Sequence, residues 1–132
     1  MKLRFFWYES KAFGDGVLRP GCAVVDGVDG MQNNIADYLM DDGGQGSNRT
    51  IAWIDEQIRS LDAAEGDAKG SWNSDLEAWG AQLELGQVEI YSLYDKNYAS
   101  LISLPEFRRA LRYWREFLQS VPVAGAVREM KI

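Results

Sequence analysis

Trp79-Gly-Ala-Gln-Leu-Glu-Leu-Gly-Gln-Val-Glu-Ile-Tyr-Ser-Leu-Tyr94 holds two stretches of alternating apolar and polar side chains joined through Gly86-Gln87. Alternation of period two marks half-buried strands, and Gly at the first of two central residues is what a type II′ hairpin turn requires. Zipped outward from that turn, Leu85 meets Val88, Leu83 meets Ile90 and Trp79 meets Tyr94 on one face. Glu84 then opposes Glu89 on the other face, which is unfavourable unless the pair is solvated or meets a cation.

Helical signals flank the hairpin. After it, Ser103-Leu-Pro-Glu106 has the chemistry of a helix start: a hydroxyl for an orphan amide, Glu106 to reach back, and Pro105 where no donor is needed. Leu104, Phe107, Leu111, Trp114 and Leu118 make one stripe; Arg108, Arg112 and Arg115 stand opposite with Arg109 beside them, and Pro122 ends the helix by about Val121. Before the hairpin, Ile51, Ile54, Ile58 and Leu61 recur at helical spacing and predict a helix from about Arg49 to Ala64.

Nearer the N-terminus, Leu3, Phe5 and Trp7 alternate with Arg4, Phe6 and Tyr8, which predicts a strand inside a sheet. Gly14 to Gly21 reads as a break before a short strand at Cys22–Val25. Asp26–Gly30 reads as a turn, and Met31–Met40 as a short helical window with Asp29 as its cap. Asp41–Asn48 is a loop, and Val123–Ile132 is either a short strand or disordered. Together these elements predict one α+β domain over 1–132: an antiparallel sheet with a central type II′ hairpin packed against two main amphipathic helices. A chain of 132 residues is long enough to bury a substantial core.

Charge is unevenly spread. Residues 20–84 carry thirteen acidic side chains against three basic ones, Arg49, Arg59 and Lys69, while both ends are net positive and the whole chain sums to −6. A field of one sign does not stabilise a fold, but it steers an oppositely charged macromolecule to one surface. The same field disfavours nucleic acid and anionic lipid as direct partners. With no apolar run long enough for a membrane span, no signal-peptide pattern at the N-terminus and the single Cys22, the expectation is a cytoplasmic protein with no membrane partner.

The absence of histidine excludes Ser-His-Asp and Cys-His nucleophile systems and the usual His-containing zinc sites. Asp26–Gly30 lacks the ligand spacing of a calcium loop, and Gly43–Asn48 lacks the Walker lysine, so neither a metal nor a cofactor is expected. Carboxylate acid–base chemistry remains open in principle, because acids are plentiful. For the Arg108, Arg109, Arg112, Arg115 face, internal pairing with the acidic middle is favoured over contact with RNA or an acidic peptide.

The block Trp79 to Asp95, followed by Ser103-Leu-Pro-Glu-Phe-Arg-Arg-Ala-Leu-Arg-Tyr-Trp-Arg-Glu-Phe-Leu118, resembles the C-terminal half of small bacterial immunity proteins of contact-dependent growth inhibition and related polymorphic toxin systems. Trp53-Ile-Asp-Glu-Gln-Ile58 is similar to the helix that precedes the hairpin in such proteins. The resemblance implies a non-enzymatic α+β protein that binds and neutralises the toxin domain encoded beside it, commonly a nuclease. It transfers no inhibitory residue.

Charge density therefore selects the expected toxin-binding surface: Asp55, Asp62, Glu65, Asp67, Trp72, Asp75 and Glu77, with Asp41 and Asp42 as a second cluster. Trp72 joins it as an aromatic anchor among acids. Three readings compete with this one: acids and arginines that balance each other within the fold, a small carboxylate-dependent hydrolase, and an adaptor that binds a basic segment without inhibiting anything.

Overall fold

The computed structural model describes residues 1–25, 34–67 and 70–132. Its elements, in chain order, are β1 (Lys2–Glu9), β2 (Leu18–Val24), α1 (Ile35–Met40), α2 (Ser47–Glu65), β3 (Asn73–Asp75), β4 (Trp79–Glu84), β5 (Gln87–Ser92), β6 (Ala99–Ser103), α3 (Leu104–Leu118) and β7 (Val127–Lys131). The architecture is α+β with antiparallel pairing throughout. The strands divide into two sheets rather than one, ordered β2-β1-β7 and β3-β4-β5-β6. The turn expected at Asp26–Gly30, its Asp29 cap and the expected helix start at Met31 lie outside the described residues.

In the hairpin, the strands are as expected and the turn is not. Glu84 pairs with Gln87, Leu83 with Val88, Ala81 with Ile90 and Trp79 with Ser92, so the central residues are Leu85 and Gly86. Both have positive φ, 50° at Leu85 and 79° at Gly86, which is the type I′ pattern and corrects the expected type II′ turn. Each partner moves by two residues, so every side chain keeps its face. The slip also removes the opposed carboxylates: Glu89 now faces Gln82, whose Nε2 donates to Glu89 Oε1 at 3.2 Å.

β1 is the middle strand of the three-stranded sheet because Leu3, Phe5 and Trp7 have a helix to cover them. Phe5 meets Trp114 and Phe117 of α3 with ring centroids 5.3 and 5.5 Å apart, and Trp7 stacks on Phe117 at 5.0 Å. At the other end of α3, Phe107 lies 5.8 Å from Tyr38 of α1 and 5.6 Å from Trp72. The same helix therefore joins both halves, and its buried residues form one cluster with Ala81, Val88, Ile90 and Ile102 of the four-stranded sheet. Each fully buried Val, Leu, Ile or Phe among them contributes about 1.5–3 kcal/mol.

Local chemistry sets the boundaries. Ser103 caps α3, its Oγ accepting from the Glu106 amide at 3.3 Å and donating to Glu106 Oε1 at 2.7 Å. The helix stops at Leu118, short of the expected Val121. β2 starts at Leu18, inside the expected break, since Pro20 is harmless on an edge strand. Pro20 and Cys22 share the outward side of that edge: Pro20 has no N–H to leave unpaired, and the Cys22 N–H donates to Met40 Sδ at 3.2 Å. That edge is thereby blunted against further pairing. The C-terminal segment forms β7, which closes the other side of β1.

Candidate functional site

The acids expected at the binding surface lie in different surroundings. On α2, Asp55, Asp62 and Glu65 project toward α3, where Arg108 and Arg115 lie in register with them. Arg115 donates from Nε to Asp55 Oδ1 at 2.6 Å and from Nη2 to Asp55 Oδ2 at 3.1 Å, a bidentate pair. Arg108 Nη2 lies 2.8 Å from Asp62 Oδ1 and also pairs with Glu65 Oε2. The Arg115 guanidinium holds the Asp55 carboxyl below the usual carboxylate range, and Asp55 in turn raises Arg115. These three acids, expected at the binding surface, are engaged by the protein's own arginines.

The expectation for Trp72 is corrected. It is only 6% exposed, its ring packs on Phe107, and its indole Nε1 donates to Gln57 Oε1 of α2 at 3.1 Å. Trp72 is a core residue that pins β3 to α2, not an interface anchor. Asp67 lies just past α2, its amide donating to Ala64 O at 3.3 Å. Asp75, on the edge strand β3, accepts from the Tyr91 hydroxyl at 2.7 Å. Partial burial and this bond push the Tyr91 phenol up to about 12. Tyr91 reaches Asp75 across Gly80, where any Cβ would collide with both the Tyr91 ring and the Asp75 carboxylate.

The remaining acids meet at a concavity. Asp41, Asp42 and Glu77 line a hollow of about 450 Å³ between the end of α1, the start of α2 and the β3–β4 connection. Leu39, Trp53 and Leu76 supply its apolar lining, and Gln45, Arg49 and Thr50 complete its α2 side. Asp41 builds the site as well as charging it: its Oδ2 accepts from the Ala78 and Trp79 amides at 2.8 and 3.0 Å, tying the end of α1 to the start of β4. Asp42 Oδ1 accepts from the Gly44 amide at 2.8 Å and shapes the loop. Among the described residues no salt bridge involves Asp41, Asp42 or Glu77. Arg49, the cation of the lining, donates to Gln45 Oε1 at 3.3 Å instead.

Of the nine expected site residues, then, Asp41, Asp42 and Glu77 come together, and the other six lie elsewhere. Sequence reasoning missed Trp53 and Leu76. Both were legible as apolar side chains next to acidic segments, but nothing in their spacing says that the Asp41–Gly46 loop and the β3–β4 connection face each other.

Chemically, the hollow pairs carboxylates with an aromatic face and aliphatic walls. That combination suits an alkylammonium or guanidinium group, whose charge meets the acids while its stem lies along Trp53 and Leu76. No group of three or more His, Cys, Asp or Glu among the described residues is placed to hold a metal ion, and no helix among them is long and apolar enough to cross a membrane. Compared with protein-family models the chain matches none, and compared with curated proteins and solved structures it shows no significant likeness.

Proposed function

We propose that this chain is an immunity protein that binds and neutralises a basic toxin domain, and that the Asp41, Asp42, Glu77 hollow is where it grips a cationic side chain of that partner. One observation carries the reading: three carboxylates outside any salt bridge of the described residues line one hollow of about 450 Å³ with Trp53, against a single cation, Arg49. The resemblance of the hairpin and α3 segments to immunity proteins supports the class of partner. A nuclease must hold a polyanion and so presents a cationic cleft; an acidic protein seated on that cleft excludes substrate. Net negative charge also speeds encounter with a cationic partner, in a manner that salt weakens.

The test is co-expression with the C-terminal domain encoded next to this chain. Restored growth supports inhibition. A stable complex without restored growth points to an adaptor, and turnover of a substrate by this chain alone points to a carboxylate-dependent hydrolase. Either of those results overturns the immunity reading.

A further inference from the structure

β7 leaves one side of the three-stranded sheet open. The Ile132 amide donates to Met1 O at 2.9 Å and the Trp7 amide to Ala126 O at 3.3 Å, so the even-numbered residues of this strand turn their backbone groups toward β1. Glu129 and Lys131 therefore point theirs outward, and no backbone partner meets them among the described residues. The other three edges differ. β2 carries Pro20 in its outward row, β3 holds only 3 residues, and β6 has Asn34 against it, whose amide donates to Ser100 Oγ at 3.1 Å. An uncovered edge strand with neither proline nor bulge is a template for another strand.

Charged side chains normally guard such an edge, and β7 has Arg128, Glu129 and Lys131. Their order decides whether they repel a second copy. Two copies that pair antiparallel are related by a two-fold axis, so one residue faces its own mate across it. Centred on Arg128, Glu129 or Lys131, the pairing sets like charges face to face; centred on Val127, it engages too little of the strand. Centred on Met130, it sets Glu129 opposite Lys131 of the second copy, Lys131 opposite Glu129, and one methionine on the other between them. The charges already on this face favour that register. Lys131 makes no salt bridge among the described residues and lies in register with Lys2, a like charge on the same face. The Glu129 side chain reaches Arg4 and Lys2 yet stays 38% exposed, open to a further cation.

We infer that this chain self-associates through β7: two copies pair antiparallel about an axis at Met130, joining their three-stranded sheets into one continuous sheet with reciprocal Glu129–Lys131 pairs. The outward backbone groups of Glu129 and Lys131 exchange hydrogen bonds across the axis, as a hydrogen-bonded antiparallel pair does. The helices leave room for this. α3 packs on β1 through Phe5 and Trp7, and each β1 lies three strand spacings, about 14 Å, from its mate, while a helix with its side chains is about 10–12 Å across. The contact is small, so the dimer is a weak, concentration-dependent one.

Sedimentation equilibrium of the full chain, from micromolar to millimolar concentration, tests this, and wild type is expected to dimerise reversibly. Lys131→Glu, an exposed substitution, turns both attractive pairs into contacts between carboxylates and should weaken the dimer about tenfold. Adding Glu129→Lys in the same chain restores opposite charges across the axis and should recover the affinity. Cysteine substitution with mild oxidation reads the register. Met130→Cys should give a covalent dimer, because a non-hydrogen-bonded antiparallel pair brings its Cα atoms within disulfide reach. Val127→Cys should not, because its mate lies about 20 Å away along the strands. Cys22 is buried and stays out of the reaction. A chain that remains monomeric throughout overturns the inference. So does a wild-type dimer that Lys131→Glu leaves intact, or cross-linking through Val127→Cys in place of Met130→Cys.

Discussion

The acidic flank of α2 and the acidic rim at the Asp41–Gly46 loop look alike as sequence, since each is a cluster of carboxylates with few cations nearby along the chain. In the fold they differ. Asp55, Asp62 and Glu65 face Arg115 and Arg108, more than forty residues away in sequence, and their charge is answered inside the molecule. Asp41, Asp42 and Glu77 meet amide donors, an aromatic face and a hollow instead. Charge density along a chain thus does not measure charge available to a partner; what counts is which cations the tertiary fold brings alongside.

The largest expected effect separates the two regions by stability. Because Trp72 belongs to the paired, packed side, Trp72→Ala should cost about 3–5 kcal/mol in urea unfolding, as large core truncations do. A surface anchor would lose no more than about 0.5 kcal/mol. On the other side of the comparison, Asp41→Ala should cost about 1–3 kcal/mol, because it leaves the Ala78 and Trp79 amides without their acceptor. Asp41→Asn, which keeps an acceptor oxygen, should recover part of that loss.

Much of the fold was legible and the site only partly so, for the same physical reason. Short-range signals act within a few residues: the alternation around Gly86, the Ser103–Glu106 cap and the stripe from Leu104 to Leu118 all became the elements they announce. The turn register failed because Gly86 satisfies either position of a two-residue turn, and the choice fell to the cross-strand partners. Placing Leu85 in the turn lets Gln82 rather than Glu84 face Glu89. The cost is a Leu at φ 50° with 98% exposure, a conformation disfavoured by about 1–2 kcal/mol for a residue with a Cβ. Leu85→Asn should therefore stabilise the protein by about 1 kcal/mol, read from the urea midpoint. A loss of stability would restore the type II′ register. That the arginine face of α3 pairs with acids of the middle region was legible, but which acids it takes depends on helix-to-helix register. The hollow depends on loop-to-loop proximity, which leaves no periodic trace.

A smaller effect probes the ion pairs directly. The Asp55 carboxyl is held below its usual range by Arg115, so its folded-state value lies under the unfolded value of about 3.9. Its stabilising contribution is therefore full at neutral pH and is lost as pH falls from about 4 through the lower folded-state value. The stability gap between wild type and Asp55→Asn should be small, as exposed pairs are, present at pH 7 and closed under strongly acidic conditions. A gap that widens on acidification would contradict the pairing.

The most direct measurement is the rate of association with the proposed basic toxin domain as a function of ionic strength, for wild type and two variants. The pair Asp42→Asn with Glu77→Gln is expected to slow association and flatten its salt dependence, while Asp55→Asn, Asp62→Asn and Glu65→Gln together leave the salt slope near that of wild type. If the α2 triple variant flattens the slope and the loop pair does not, the docking charge belongs to α2 and the hollow is not the site.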